Sequence, residues 1–436
     1  MHKYFLPFGL ALLVCQPSLA QEVAPTGAAS QQPVINYKLP PLGSDELALA
    51  GQLTLRQALQ QAFQNNPDLA VAALEVKAVE ATILQAGVRP NPEVSALLED
   101  TRKATRTTTL QLNQTLELGG KRDARIKAAE KSRDAAQADY LSKRADIQGA
   151  VVGAYFAALE AQENLLLLKS SLQLAQRASE VAAKRVAAGK VAPIEATKAR
   201  VAEAGVQVEL QQANSALSIA RRALAATWGD SAAAFSSVDG HINDLPALPD
   251  LVVLQERLQN SPAFLKTRLE VERRQALVQL ERSRRVPDVT VSIGGKRVEE
   301  SRLNQMIFGL SIPIPVFDRN QGNLQEALQR ADKARDELRS AQLRLDGELR
   351  DAYERLRVGR QQVAALQGEI LPAAQNAYEV ATKGFELGKF SFFEVLDAQR
   401  VLFQAKSQAL RALAETHRAA TEIERVAGAF PSTDSL

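Results

Sequence analysis

The sequence predicts a mainly α-helical fold with a smaller β part, arranged as two copies of one unit. Each unit runs helix, β-hairpin, long helix, helix. Three observations predict it. Short motifs recur in a single register, Ala, Leu, Gln, Glu and Arg recur throughout as long helices favour, and four short segments alternate apolar and polar residues.

The repeat comes first. Asn65-Asn66-Pro67 recurs as Asn260-Ser261-Pro262, and Arg89-Pro90-Asn91-Pro92 recurs loosely over 284–287. Ala154-Tyr155 returns as Ala352-Tyr353, Gly189-Lys190 as Gly388-Lys389, and Ile194-Glu195 as Phe393-Glu394. The offset drifts only from about 195 to about 199 residues, which is two copies with minor insertions. The first repeat is placed at 52–229 with a hairpin at 93–118. The second is placed at 250–428 with a hairpin at 288–316. A Pro-rich segment, 21–51, precedes them and a short tail, 429–436, follows.

The helices follow from caps and breakers. One stretch runs from Leu53 to about Gly87, with Thr54 as its N-cap. A long one runs from about Lys121 to Ala188, and Gly189 ends it as a C-cap glycine would. Pro193 opens the next, at a position where its missing N–H costs nothing, and that helix reaches about Trp228. The second copy reads as Leu251 to Arg285, then Gly322 to Leu387, then Phe392 to about Ala427, with Gly388 between the last two. Pro372 should kink the second long helix or break it locally. A stretch over 121–188 is about 100 Å long at 1.5 Å per residue, and the two shorter helices end to end reach about 105 Å. A tall bundle has these proportions.

The strands follow from period two. Leu110 to Leu118 alternates, and so does Met306 to Ile312, continuing to Ile314 and Val316. Val94, Ala96 and Leu98 form the apolar face of one partner, and Val289, Val291 and Ile293 that of the other. Charged turns, Asp100 to Arg106 and Lys296 to Arg302, join them. Two readings stand. The hairpins either cap a helical bundle or belong to a transmembrane β-barrel. Four strands cannot close a barrel, whose known minimum is about eight, so the membrane reading requires an oligomer.

Bulk properties narrow the class. With 53 Lys+Arg against 50 Asp+Glu, no charge excess points to nucleic acid. Lys3, the apolar run Phe5 to Val14 and Ser18-Leu19-Ala20 read as a signal peptide over 1–20, cleaved between Ala20 and Gln21. Leu12-Leu13-Val14-Cys15 offers a lipobox alternative, with Val14 bulky where a small residue is expected. After cleavage at Ala20 the chain has no cysteine. No later segment has 18 consecutive apolar residues, so no transmembrane helix is expected.

Candidate chemistry is sparse. Only His241 and His417 follow the signal peptide, and no HExxH, GxSxG or phosphate loop occurs, so neither an enzyme nor a cofactor is expected. Gly119-Gly120-Lys121-Arg122 reads as a strand-to-helix turn before it reads as an anion site. Any metal cargo would be conducted rather than chelated, because soft ligands are missing.

The tandem units and the two glycine-bearing tips resemble the TolC family of outer-membrane efflux proteins over about residues 53–428. The strongest local match is Gly388-Lys389-Phe390-Ser391-Phe392-Phe393-Glu394-Val395-Leu396-Asp397-Ala398-Gln399-Arg400. Gln114 to Arg122 and Ile312 to Gly322 are similar to the CzcC-like branch of cobalt–zinc–cadmium efflux systems. The resemblance implies a homotrimer with a twelve-stranded barrel in outer-membrane lipid and a periplasmic helical tunnel. It also implies a periplasmic adaptor and an inner-membrane resistance–nodulation–division pump as partners. Gly189, Lys190, Gly388 and Lys389 would mark hairpin tips where the adaptor docks. Glu394 and Asp397, three apart on one helix, would line the periplasmic entrance and favour cations. Ser391 to Glu394 also fits a capping box, which gives Glu394 a purely structural reading. Glu195 is the first-turn carboxylate of the other tip. Two rivals stay open: a channel for drugs or a secreted polypeptide, and a pore-less periplasmic coiled-coil scaffold.

Overall fold

A computed structural model of the chain describes residues 51–240 and 242–428. The signal peptide, the Ala20–Gln21 cleavage point, nearly all of 21–51, His241 and the tail lie outside the described residues.

The first half comprises β1 (Gln52–Leu53), α1 (Leu55–Asn65), α2 (Pro67–Gly87), β2 (Glu93–Glu99), β3 (Thr107–Leu116), α3 (Lys121–Ala187) and α4 (Pro193–Ala226). The connecting stretch carries β4 (Ser237–Val238). The second half comprises α5 (Leu251–Leu258), α6 (Pro262–Ser283), β5 (Val289–Val298), β6 (Leu303–Ser311), α7 (Gln321–Ala365), α8 (Leu371–Glu386) and α9 (Phe392–Ala427).

Four expectations are corrected. The stretch Leu53 to Gly87 is two helices, broken at Asn66. That residue is extended, and its side chain caps α2 by accepting the Leu69 N–H at 3.0 Å. Pro67 pushes the residue before it out of the α region. Leu251 to Arg285 splits in the same way, with Ser261 as cap and Pro262 behind it. The alternation expected to continue to Ile314 and Val316 stops as strand at Ser311, since Pro313 and Pro315 cannot donate to a ladder. The second hairpin turn is shorter than read, because Lys296, Arg297 and Val298 are still in β5. Near Pro372 the expected disturbance is a π-turn, Leu366–Ile370, which passes the ladder around the proline. Thr54 caps α1 in a reciprocal capping box with Gln57.

The four long strands form one antiparallel sheet in the order β2-β3-β5-β6. The register sets Val94, Leu112, Ile293 and Phe308 in one row, and Ala96, Leu110, Gly295 and Met306 in the next. Val291 and Leu310 continue the same face. Met306 and Phe308 are each 72% exposed, far too much for a packed core. The opposite face is mostly polar, with Leu97 and Ile307 interspersed: Asn113 donates to Ser95 Oγ at 3.1 Å, Thr115 meets Thr290 at 3.3 Å, and Gln111 and Ser292 lie between. Apolar out and polar in is the pattern of a lipid-facing barrel wall. The strands run 7 to 10 residues. About 9–11 tilted residues cross a bilayer.

Adjoining the sheet, α2, α3, α6 and α7 pack side by side in that order. Towards the hairpin tips the order is α4, α3, α9, α8. Alanines such as Ala128, Ala138, Ala145 and Ala158 line the buried side of α3 and let its neighbours approach. Between the two helical levels lies a belt with the largest core, including Leu53, Val151, Tyr155, Leu159, Trp228 and Phe235. The Tyr155 hydroxyl reaches the carbonyls of Leu53 (2.9 Å) and Asp239, which ties the parallel β1–β4 pair to α3. His417 stacks on Phe156 at 4.1 Å and donates Nε2–H to the Ile242 carbonyl at 3.0 Å. Burial lowers its pKa, so the ring is neutral near pH 7 and serves as packing.

Two predictions follow from this architecture. Leu112→Arg puts a charge in the centre of the apolar face and should cost about 2–4 kcal/mol. Gln111→Arg, one residue along on the polar face, should be near neutral, as read by the temperature at which the assembly dissociates in detergent. The second concerns Glu424, whose carboxyl is pushed up to about 7 by burial. A raised carboxyl stabilises the fold only below its unfolded pKa, and the penalty grows as pH rises from about 4.5 to about 7. Glu424→Gln should therefore raise thermal stability by roughly 2–3 kcal/mol at pH 8 and leave it unchanged at pH 4.

Candidate functional site

The two helical hairpins end in matching turns. At the first, Gly189 takes φ +67 and its N–H donates to the Val186 carbonyl at 2.9 Å, while Lys190 N–H reaches Arg185 O at 2.9 Å. At the second, Gly388 takes φ +71 and donates to Phe385 O at 3.0 Å, while Lys389 N–H reaches Gly384 O at 2.8 Å. These paired bonds are a Schellman closure, which needs the left-handed residue that glycine supplies without a Cβ penalty. Ala192 and Pro193 then open α4, and Ser391 opens α9.

Contacts between the hairpins hold the two tips together. The Arg185 guanidinium lies 3.7 Å from the centre of the Phe385 ring and donates to the Phe385 carbonyl at 3.1 Å. Lys198 lies 5.5 Å from the centre of the Phe393 ring. Ala182, Ala199, Ala381, Phe385 and Val395 form a small buried cluster between the four helices. Phe390 folds back onto Gly384, where a Cβ would sit 2.1 Å from its ring.

Glu394 and Asp397 share the first turns of α9 but have different partners. Glu394 closes a capping box: its carboxylate accepts the Ser391 N–H at 2.6 Å, and its own N–H donates to Ser391 Oγ at 3.4 Å. Asp397 is bound by Arg400 at 2.6 Å. It lines a groove of about 1190 Å³ between α4 and α9, together with Lys198, Gln404 and Arg411. Glu195 sits in the first turn of α4. Nothing in the sequence pointed to Arg185 and Phe385, which meet across two helices, whereas Arg400 stands one helical turn from Asp397. Gly384, a glycine inside a helix stretch, was the one local hint. Among the described residues no three His, Cys, Asp or Glu side chains converge as a metal site.

An open-edged sheet with an apolar outer face, continuing into long paired helices, defines a subunit of an outer-membrane channel. The outer membrane efflux protein family matches residues 58–230 and 253–429, and the chain belongs to that family. The cobalt-zinc-cadmium resistance protein CzcC of Cupriavidus metallidurans (strain ATCC 43123 / DSM 2839 / NBRC 102507 / CH34) is 45% identical over 428 residues, 98% of this chain and 100% of that protein. The nickel-cobalt-cadmium resistance protein NccC of Alcaligenes xylosoxydans xylosoxydans is 30% identical over 70% of this chain and 69% of its own length. Among solved structures, CusC superposes with a TM-score of 0.72 at 20% identity, covering 86% of this chain and 91% of CusC. The outer membrane protein VceC of Vibrio cholerae gives 0.72 at 21% identity, over 86% and 96%. The TolC-like fold is thereby established, and membership of the outer membrane efflux protein family carries an outer-membrane location.

The tip geometry yields a prediction. Gly384→Ala should displace the Phe390 ring and loosen the turn. Trypsin should then cut after Lys389 several-fold faster than in the parent, as read by mass spectrometry of the fragments. An unchanged rate would show that Phe390 does not order the tip.

Proposed function

We propose that three copies of this chain close into one outer-membrane channel that exports divalent heavy-metal cations, with cobalt, zinc and cadmium as the class. The channel half of the reading rests on the open sheet edges beneath an exposed apolar face. The cargo half rests on similarity to CzcC along nearly the whole chain. Four strands per chain give twelve in a trimer, enough to close a barrel. The chain would receive cargo from an inner-membrane pump of the resistance–nodulation–division type through a periplasmic adaptor. The adaptor would dock at the tips marked by Gly189, Lys190, Gly388 and Lys389.

Asp397 is the better candidate for an entrance carboxylate. Glu394 spends both oxygen and N–H on its cap, whereas Asp397 faces a groove. Three copies would set Asp397 in a ring that favours cations, tempered by Arg400 beside it. Asp397→Ala should raise anion passage through reconstituted channels. Unchanged selectivity and conductance would remove Asp397 from the entrance.

The cargo is tested in a deletion strain. Restoring the gene should restore growth in zinc, cadmium and cobalt and leave drug sensitivity unaltered. Rescue against drugs with no effect on metals would contradict the metal reading and leave the channel standing.

A further inference from the structure

The apolar face of the sheet stops abruptly at its turn end. Beyond the row of Ala96, Leu110, Gly295 and Met306, the next row on that face is Leu98, Thr108, Arg297 and Asn304. One step further, Arg106 lies opposite Glu299, whose N–H donates to the Arg106 carbonyl at 3.0 Å. Arginines therefore stand directly above the lipid-facing band, on the same side of the strands. Arg297 is held by Glu299 through two bonds, at 2.8 and 3.4 Å. The Arg106 Nε is buried and has no hydrogen-bond partner.

Charge in the turns is uneven. Residues 99–106 and 296–302 together hold six cationic side chains and four acidic ones. Three of the acids are taken: Glu99 by Lys296 at 3.5 Å, Asp100 by Arg102 at 2.8 Å, and Glu299 by Arg297. Among the described residues, Lys103, Arg106 and Arg302 form no ion pair; Glu300 is the acid left unpaired, and Glu299 also attracts Arg106 and Arg302 at longer range.

Planar guanidinium groups at the edge of a hydrocarbon-facing band meet lipid headgroups, and they bind phosphate oxygens bidentately. Basic clusters at that depth recognise anionic lipid. We propose that Arg106 and Arg297, aided by Lys103 and Arg302, bind the phosphates of a diphosphorylated glycolipid of the outer leaflet, of the lipid A kind. Its acyl chains would lie along the rows of Met306, Phe308 and Ile293. Glu299 orients Arg297 and keeps the cluster from excessive self-repulsion.

The test uses the full-length protein in detergent, with bound lipid counted by native mass spectrometry. Diphosphorylated lipid A should bind at least tenfold more tightly than its dephosphorylated form. The double variant R106Q/R297Q should abolish that preference while keeping the oligomer and its conductance. K103A/R302A, confined to exposed turns, should weaken it about threefold and guards against misassembly of the first variant. Equal affinity for the two lipids would overturn the proposal, as would an unchanged preference in both variants. Displacement by inorganic phosphate at the same concentration as the lipid would also overturn it, because the site would then be one for a free ion.

Discussion

Everything in this molecule depends on the unpaired edges of β2 and β6. In hydrocarbon, each backbone N–H and C=O needs a protein partner, because no water is there to serve. The sheet's apolar face belongs in lipid, yet its two outer strands each present one open side. A single chain cannot satisfy both demands. Closure against further copies does, and it extends below the sheet. The helical levels likewise end in uncovered neighbours, α2 and α7 near the sheet, α4 and α8 near the tips.

The closure reaches the helices only if strand and helix are rigidly joined. Gly119 and Gly120, both at φ +70, turn the chain from β3 into α3. Arg122 donates to the Gly87 carbonyl at 2.7 Å, and Arg125 donates to Val88 O at 3.1 Å while gripping Glu117. Those arginines satisfy the end of α2 from α3, so helix and hairpin share one elbow. Lys121 meets Asp288 at 2.7 Å, linking this elbow to the second hairpin. There Asn320, at φ +56, sends its amide to the Glu281 carbonyl at 2.9 Å and carboxylate at 2.7 Å. Different residues thus brace corresponding places in the two halves, which is why the repeat is faint in sequence and plain in structure.

What was legible in the sequence was local. Alternation along Leu110 to Leu118 gives a strand face whatever its neighbours, and the proline-free run from about Lys121 to Ala188, closed by Gly189, gives a helix. Glycine at 189 and 388 announces a left-handed cap. What was not legible depends on competition or distance. At Asn66 and Ser261, a side-chain cap followed by proline outweighs helix propensity on both sides. β1 and β4 are two residues each and meet only because the belt brings them together. Arg185 finds Phe385 across 200 positions, with no pattern in either segment to announce the pair. The same limit explains the tips. The capping box that occupies Glu394 could be read from Ser391 and its spacing, whereas the groove that Asp397 lines is visible only in the fold.

Open edges at each level call for further copies of the chain in the membrane, three in all by the proposed closure. The most direct measurement is the mass of the protein extracted from outer membranes in mild detergent, by sedimentation or light scattering corrected for bound detergent. A single species of three chains, insoluble without detergent, is the predicted result. A detergent-independent monomer released by osmotic shock would contradict it.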